Sequence, residues 1–146
     1  MDAPIERFVG SKKIAIMGAS PVGKKFGNTV YKTLKKNGYA LFPIHPSADT
    51  IENDPAYKNV ADIPEKIEAA FICMKPDKSL AVMDNLIAGG IKRIWFQQGA
   101  DFSESIEKAE SVGIEVISGK CILMYAEPVK GLHAFHRWLW KLFGKY

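Results

Sequence analysis

The 146-residue chain has two cysteines, Cys73 and Cys121, too few for the disulfide framework that small secreted domains rely on. It has no run of about 18 apolar residues, so no membrane-spanning helix is expected. Its first residues, MDAPIERFVGSKK, lack the apolar stretch and small-residue cleavage site of a secretory signal, and cytoplasm is the expected compartment. No repeat or low-complexity tract stands out. Charge is nearly balanced: 20 Lys and Arg against 16 Asp and Glu leave +4. So small an excess is read as helix surface and as attraction to a small polyanion, with no nucleic-acid interface.

The most informative stretch runs from Lys13 to Gly38. Ile14-Ala15-Ile16-Met17 is an unbroken apolar run, as expected of a strand buried on both faces. Gly18-Ala19-Ser20-Pro21-Val22-Gly23 then turns the chain. From Lys24, Phe26, Val30 and Leu34 recur every four residues, predicting a helix that Asn37-Gly38 ends. A strand, a glycine-containing turn and a helix, in that order, aim unpaired N–H groups and a helix dipole at one spot that suits phosphate. The dinucleotide fingerprint Gly-x-Gly-x-x-Gly is matched in part, as Gly18-x-Ser20-x-x-Gly23. On this reading Gly23 takes the third-glycine role, and Ser20 stands where backbone comes closest to a diphosphate. Gly18→Val is expected to block that ground and leave the fold intact. Lys24 and Lys25, beside the turn, are the cations singled out.

Before this stretch, Ile5, Phe8 and Val9 suggest a short helix packed on a sheet. After it, Tyr39–Ile44, Ala69–Met74, Ile91–Phe96 and Ile114–Ile117 read as strands. Ser79–Ala88 and the residues after an Asp101–Glu104 capping box read as helices. Residues 49–59 read as loop, and Asp62–Glu65 as the start of a short helix. Pro43 is awkward in a central strand, so pairing there is expected to be one-sided. Cys73, closing an apolar run, reads as a core thiol. The pattern predicts one domain over residues 1–146 with a core of about 12–121. Its class is α/β: a Rossmann-like, doubly wound, parallel five-stranded sheet with strand order 3-2-1-4-5.

The tail, LHAFHRWLWKLFGKY, predicts an amphipathic helix over about 128–143. Packing on the sheet edge is the first reading, and a homodimer contact or a lipid-surface contact are the alternatives. His133 and His136 lie three apart but have no Cys, Asp or Glu nearby to complete a metal site, so no metal is expected.

A Rossmann-type sheet binds its ligand at the carboxyl ends of its strands. The loops there are Gly18–Gly23, His45–Ser47, Met74–Asp77, Gln97–Ala100 and Ile117–Cys121. An NAD-binding domain has an acid at the end of the second strand to hold the ribose hydroxyls. Ile44-His45-Pro46 offers none, and the first acid is Asp49. A nucleotide with an extra phosphate accounts for both the missing acid and the nearby lysines.

Gly-Ala-Ser at 18–20, Pro-Ile-His-Pro at 43–46, Lys75-Pro76, Trp-Phe-Gln-Gln-Gly at 95–99 and the late Cys121 together resemble the small bacterial CoA-binding-domain family, from about Lys13 to Cys121. The same domain is similar to the CoA-binding part of succinyl-CoA synthetase α chains and ADP-forming acyl-CoA synthetases. The resemblance implies coenzyme A, or an acyl-CoA, as the small-molecule nucleotide ligand. It implies that Gly18, Ala19 and Ser20 face the pyrophosphate and that Pro43, His45 and Pro46 flank the adenosine. Met74, Lys75 and Pro76 would border the pantetheine, Gln97, Gln98 and Gly99 would line the far loop, and Cys121 would sit close by. His45 stands where the family usually has Asn, and Ser47 where it commonly has Lys. Lys24, Lys25 or a charged His45 would then take the 3′-phosphate. The related synthetases pass phosphate through a histidine in a separate domain, which a chain of this length does not hold. The expectation is a binding module without catalytic residues. The alternative is an NAD(P)-binding oxidoreductase or redox sensor on the same fold. Cys121 is open to two readings, a packed thiol or a partner for a mixed disulfide with coenzyme A.

Overall fold

The computed structural model describes residues 2–126. The expected tail helix at 128–143, with His133 and His136, lies outside them. β1 (Lys13–Met17) leads through the glycine turn to α2 (Phe26–Lys36), and α1 (Ala3–Gly10) precedes both. Next in the chain are β2 (Ala40–Ile44), a short β3–β4 hairpin (Thr50–Ile51, Asp54–Pro55) and a 3-10 turn (Val60–Asp62). Then come β5 (Ala69–Ile72), α3 (Pro76–Ala88), β6 (Arg93–Gln97), α4 (Ser103–Ser111) and β7 (Glu115–Lys120), with a last 3-10 turn at Ile122–Met124.

The helices form for the reasons their spacing implies. Val30, Tyr31 and Leu34 of α2 are fully buried against the sheet, each burial stabilising by roughly 1.5–3 kcal/mol. Past Asn37, Gly38 takes φ +93°, and the Tyr39 N–H closes back on the Leu34 carbonyl at 3.1 Å, as helix-ending glycines do. α1 buries Ile5 and Phe8, and the Phe8 ring meets Trp95 edge-on at 5.3 Å. Of the expected capping box, only a tighter turn forms. Asp101 Oδ1 accepts the Ser103 N–H at 3.0 Å, and α4 starts one position later than that box requires, with Phe102 at its cap. The short helix expected from Asp62 is instead the 3-10 turn that ends there.

β2, β1, β5, β6 and β7 form one parallel sheet in that order. Numbered by turn, this is 2-1-3-4-5 and corrects the expected 3-2-1-4-5. The chain reverses after β2 rather than after β5, so β2 lies at the edge. Pro43 fits there: it lacks an N–H, and its carbonyl accepts the Tyr57 N–H at 2.9 Å. α1, α2 and residues 121–126 pack one face of the sheet, while α3, α4 and Val60 pack the other. The segment at 49–59, expected as loop, contains the β3–β4 hairpin. Glu52 and Asn53 both take positive φ, 49° and 67°, the requirement of a two-residue type I′ turn.

Candidate functional site

β1 and β5 are neighbours on which the chain reverses, and their carboxyl ends touch. A Cβ on Gly18, at φ +112°, would stand well under 3 Å from the Cys73 carbonyl. Gly18 is therefore required by strand contact, and the expectation that Gly18→Val spares the fold is corrected. The close approach of helix to turn falls to Gly27, where a Cβ would strike the Gly18 carbonyl. At Gly23, which takes φ +74°, a Cβ would meet only the Glu52 carboxylate, at 3.7 Å. Gly23 serves the bend, and the third-glycine role of close packing belongs to Gly27.

Asn28, 1% exposed, ties the turn to the helix. Its Oδ1 accepts the Ser20 N–H at 2.8 Å and its Nδ2 donates to the Ser20 carbonyl at 2.9 Å and to Glu52 Oε2 at 2.8 Å. Val22 N–H donates to Ser20 Oγ at 3.2 Å and Gly23 N–H to the Ser20 carbonyl at 3.1 Å. The Ser20, Val22 and Gly23 amides of the bend are thus committed to internal partners. At the start of α2 the N–H groups of Phe26 and Gly27 have no partner within the helix, and both residues line a cleft.

That cleft, about 400 Å³, opens at the carboxyl ends of β1, β5 and β6. Lys25, Phe26, Gly27, Cys73, Lys75 and Gln97 lie along it, with Met74, Pro76, Lys78, Gln98 and Gly99. A second hollow of about 780 Å³ shares Phe26, Cys73, Gln97, Gln98 and Gly99 with it and adds Cys121 and Met124. Of the residues singled out in the sequence, Lys25, Met74, Lys75, Pro76, Gln97, Gln98, Gly99 and Cys121 come together here. Gly18, Ala19, Ser20 and Gly23 form the adjoining turn, and Lys24 is exposed beside it. Pro43, His45 and Pro46 lie at the end of β2 and do not line these hollows. Another hollow, between the starts of α3 and α4, is lined by Asp77, Asp101 and Glu104 and would repel a polyanion.

His45 is held by its backbone. Nδ1 accepts the N–H groups of Ser47 at 3.1 Å and Ala48 at 2.9 Å. Gln97, 7% exposed, is also fixed: its Oε1 accepts the Ile122 N–H at 3.1 Å. β7 carries one extra residue opposite Trp95–Gln97, and Gly119 absorbs it at φ +70°. This bulge carries Lys120 and Cys121 to the end of β6.

Cys73 is half-buried and lines both hollows, which corrects its reading as a core thiol. Burial pushes its pKa up, Cys121 adds to that, and Lys25 opposes it. Sequence reasoning also missed Phe26, Asn28, Lys78 and Met124 as site neighbours. Asn28, two residues inside a helix start, carried no signal of its own.

The family model described as CoA binding domain matches residues 12–127. The chain belongs to this CoA-binding domain family. It is 29% identical over 133 residues to the acetate–CoA ligase [ADP-forming] I of Archaeoglobus fulgidus, covering 82% of this chain and 19% of that ligase. The chain thus spans about a fifth of that relative's length. A solved structure described as a hypothetical protein from Pyrococcus horikoshii OT3 superposes with TM-score 0.80 at 31% identity, covering 90% of this chain and 93% of that one. The dinucleotide-forming acetyl-coenzyme A synthetase 1 of Ca. Korarchaeum cryptofilum, solved with phosphate and ADP, gives TM-score 0.69 at 28% identity, over 77% of this chain and 26% of that one.

Proposed function

We propose that this CoA-binding domain holds coenzyme A or an acyl-CoA as a binding module, without chemistry of its own. The observation that carries the reading is the cleft where the chain reverses, with the first N–H groups of α2 on one wall and Lys25, Lys75 and Lys78 around it. The diphosphate sits against the Phe26 and Gly27 amides at the positive end of α2. Ser20 and Gly23 shape the turn and contribute form more than donors, since their amides are already paired. Lys24 and Lys25 meet the phosphates from outside. Pro43, His45 and Pro46 border the adenosine, and the pantetheine runs past Lys75 and Pro76 toward Gln97, Gln98, Gly99 and Cys121.

Glu52, the acid nearest the turn, is bonded to Asn28 and lies 3.9 Å from Lys32. It lies in the hairpin turn beyond β2 and not at the end of that strand, where an NAD domain carries its ribose acid, which speaks against the nicotinamide alternative. Native mass spectrometry of the purified protein tests the reading. A retained ligand with the mass of coenzyme A or an acyl-CoA is expected, and a retained nicotinamide dinucleotide would overturn it.

A further inference from the structure

We propose that the second hollow takes the acyl group of a bound acyl-CoA and selects a short uncharged chain over one that ends in a carboxylate. The inference rests on the cofactor reading and names the acyl class for that same site. Three observations lead to it.

The first is continuity with the cleft. Phe26, Cys73 and Gln97–Gly99 line both spaces, so the two adjoin along that edge. A pantetheine that runs past Lys75 and Pro76 toward Gln97, Gln98 and Gly99 meets the second hollow next. Whatever its sulfur carries is delivered there. The hollow measures about 780 Å³ and the cleft about 400 Å³, so there is room beyond the thiol.

Charge is the second. Lys25, Lys75 and Lys78 lie along the cleft, whereas no Asp, Glu, Lys, Arg or His lines the second hollow. Lys120, next to Cys121, holds its ammonium 5.8 Å from the centre of the Tyr125 ring. Lys25 is near enough for its charge to act on Cys73, but on the cofactor reading it is taken up by the phosphates. A carboxylate in the second hollow therefore loses water and gains no counter-charge. A methyl group in the same place only removes apolar surface from water.

The third is that the hollow is already built. The segment after β7 is tied down at its base: Gln97 Oε1 accepts the Ile122 N–H at 3.1 Å, and Trp95 Nε1 donates to the Lys120 carbonyl at 3.0 Å. The Met124 N–H donates to the Cys121 carbonyl at 3.0 Å. Cys121 and Met124 are each only 4% exposed, while Phe26 remains 46% exposed. Phe26 is thus the lining residue with most apolar surface left for a chain to cover. A space fixed in advance needs little ordering when it is filled.

The test is calorimetric titration of the full chain, under reductant, with coenzyme A, acetyl-CoA, butyryl-CoA and succinyl-CoA. Butyryl and succinyl groups have equal chain length and differ at the far end, methyl against carboxylate. Each buried methylene is worth up to about fourfold in affinity. Butyryl-CoA should bind roughly fivefold to tenfold more tightly than acetyl-CoA, and more tightly than coenzyme A itself. Succinyl-CoA should bind at least about tenfold more weakly than butyryl-CoA. Phe26→Ala should cut the butyryl advantage over acetyl to about twofold or less. Phe26→Lys, which brings an ammonium to the hollow, should narrow the preference for butyryl over succinyl several-fold. Circular dichroism checks the fold of both variants. Equal affinity for butyryl-CoA and succinyl-CoA, or butyryl-CoA no tighter than acetyl-CoA, would overturn the proposal, as would unchanged ratios in the folded Phe26 variants. Coenzyme A binding without these acyl preferences removes this inference alone, whereas no binding of any of the four removes the cofactor reading and this inference with it.

Discussion

Asn28 and Ser20 exchange two buried hydrogen bonds across the turn that comes after β1, at 2.8 and 2.9 Å. The same amide reaches Glu52 on the β3–β4 hairpin, so one side chain joins turn, helix and hairpin. Asn28→Ala strands the Ser20 N–H in a buried setting, at about 1–3 kcal/mol for a group left unmade, while the Ser20 carbonyl keeps the Gly23 N–H. A stability loss of roughly 1–3 kcal/mol in urea titration is expected, together with weaker coenzyme A binding. A variant that keeps wild-type stability would show that the turn does not depend on this clamp.

The glycines of the turn separate into two kinds. Gly18 and Gly27 face backbone, and Gly23 faces only the end of the Glu52 side chain. Gly18→Ala and Gly27→Ala should each cost more than about 3 kcal/mol, because packed backbone has to move. Gly23→Ala should cost only about 1–2 kcal/mol, the strain of a positive φ. Thermal unfolding of the three variants checks the ranking, and equal losses would contradict it.

The five strands and four of the helices were legible because each carries its own period or apolar run. Ile14–Met17 is buried throughout and α2 buries the residues its spacing names. The order of the strands is a long-range property that local pattern does not carry, but Pro43 held a clue. A residue without an N–H belongs on an edge strand, and an edge β2 is what the order 2-1-3-4-5 provides. The hairpin was hidden because Glu52 and Asn53 make an unusual pair for a two-residue turn, which favours Asn-Gly or Asp-Gly. In the site, the residues named from motifs at β5 and β6 do meet, whereas the role of the bend amides depended on where the Asn28 side chain turned.

Stability should fall toward both extremes of pH through one pair. The Tyr31 hydroxyl donates to Asp54 Oδ2 at 2.5 Å, and Lys35 reaches the same oxygen at 2.8 Å. Burial first, and then this bond to Asp54, pushes the Tyr31 phenol well above its ordinary pKa. Its contribution is complete below an unfolded pKa near 10 and is lost as pH rises past it, since only the unfolded chain ionises there. For Asp54, burial acts to raise the pKa, but the bonds from Lys35 and Tyr31 prevail and hold it below the usual 3.8. Its contribution is present above that value and is lost as pH falls through the folded one. Denaturant midpoints across pH for Tyr31→Phe should show a flatter alkaline limb than wild type, and an unchanged limb would contradict this.

The cations of the cleft act on an anion through solvent. Lys25→Ala and Lys75→Ala should weaken coenzyme A binding several-fold at low salt, with smaller losses at high salt. Lys92, paired with Glu68 at 2.9 Å at the opposite end of the sheet, serves as the control, and Lys92→Ala should change little. Losses that are the same at both salt concentrations would argue against a charge role.

The most direct measurement is calorimetric titration of the reduced protein with coenzyme A, dephospho-coenzyme A and NAD in the same buffer. Coenzyme A is expected to bind most tightly, dephospho-coenzyme A more weakly for want of the 3′-phosphate, and NAD weakest. NAD binding tighter than coenzyme A, or no heat with coenzyme A at all, would contradict the account.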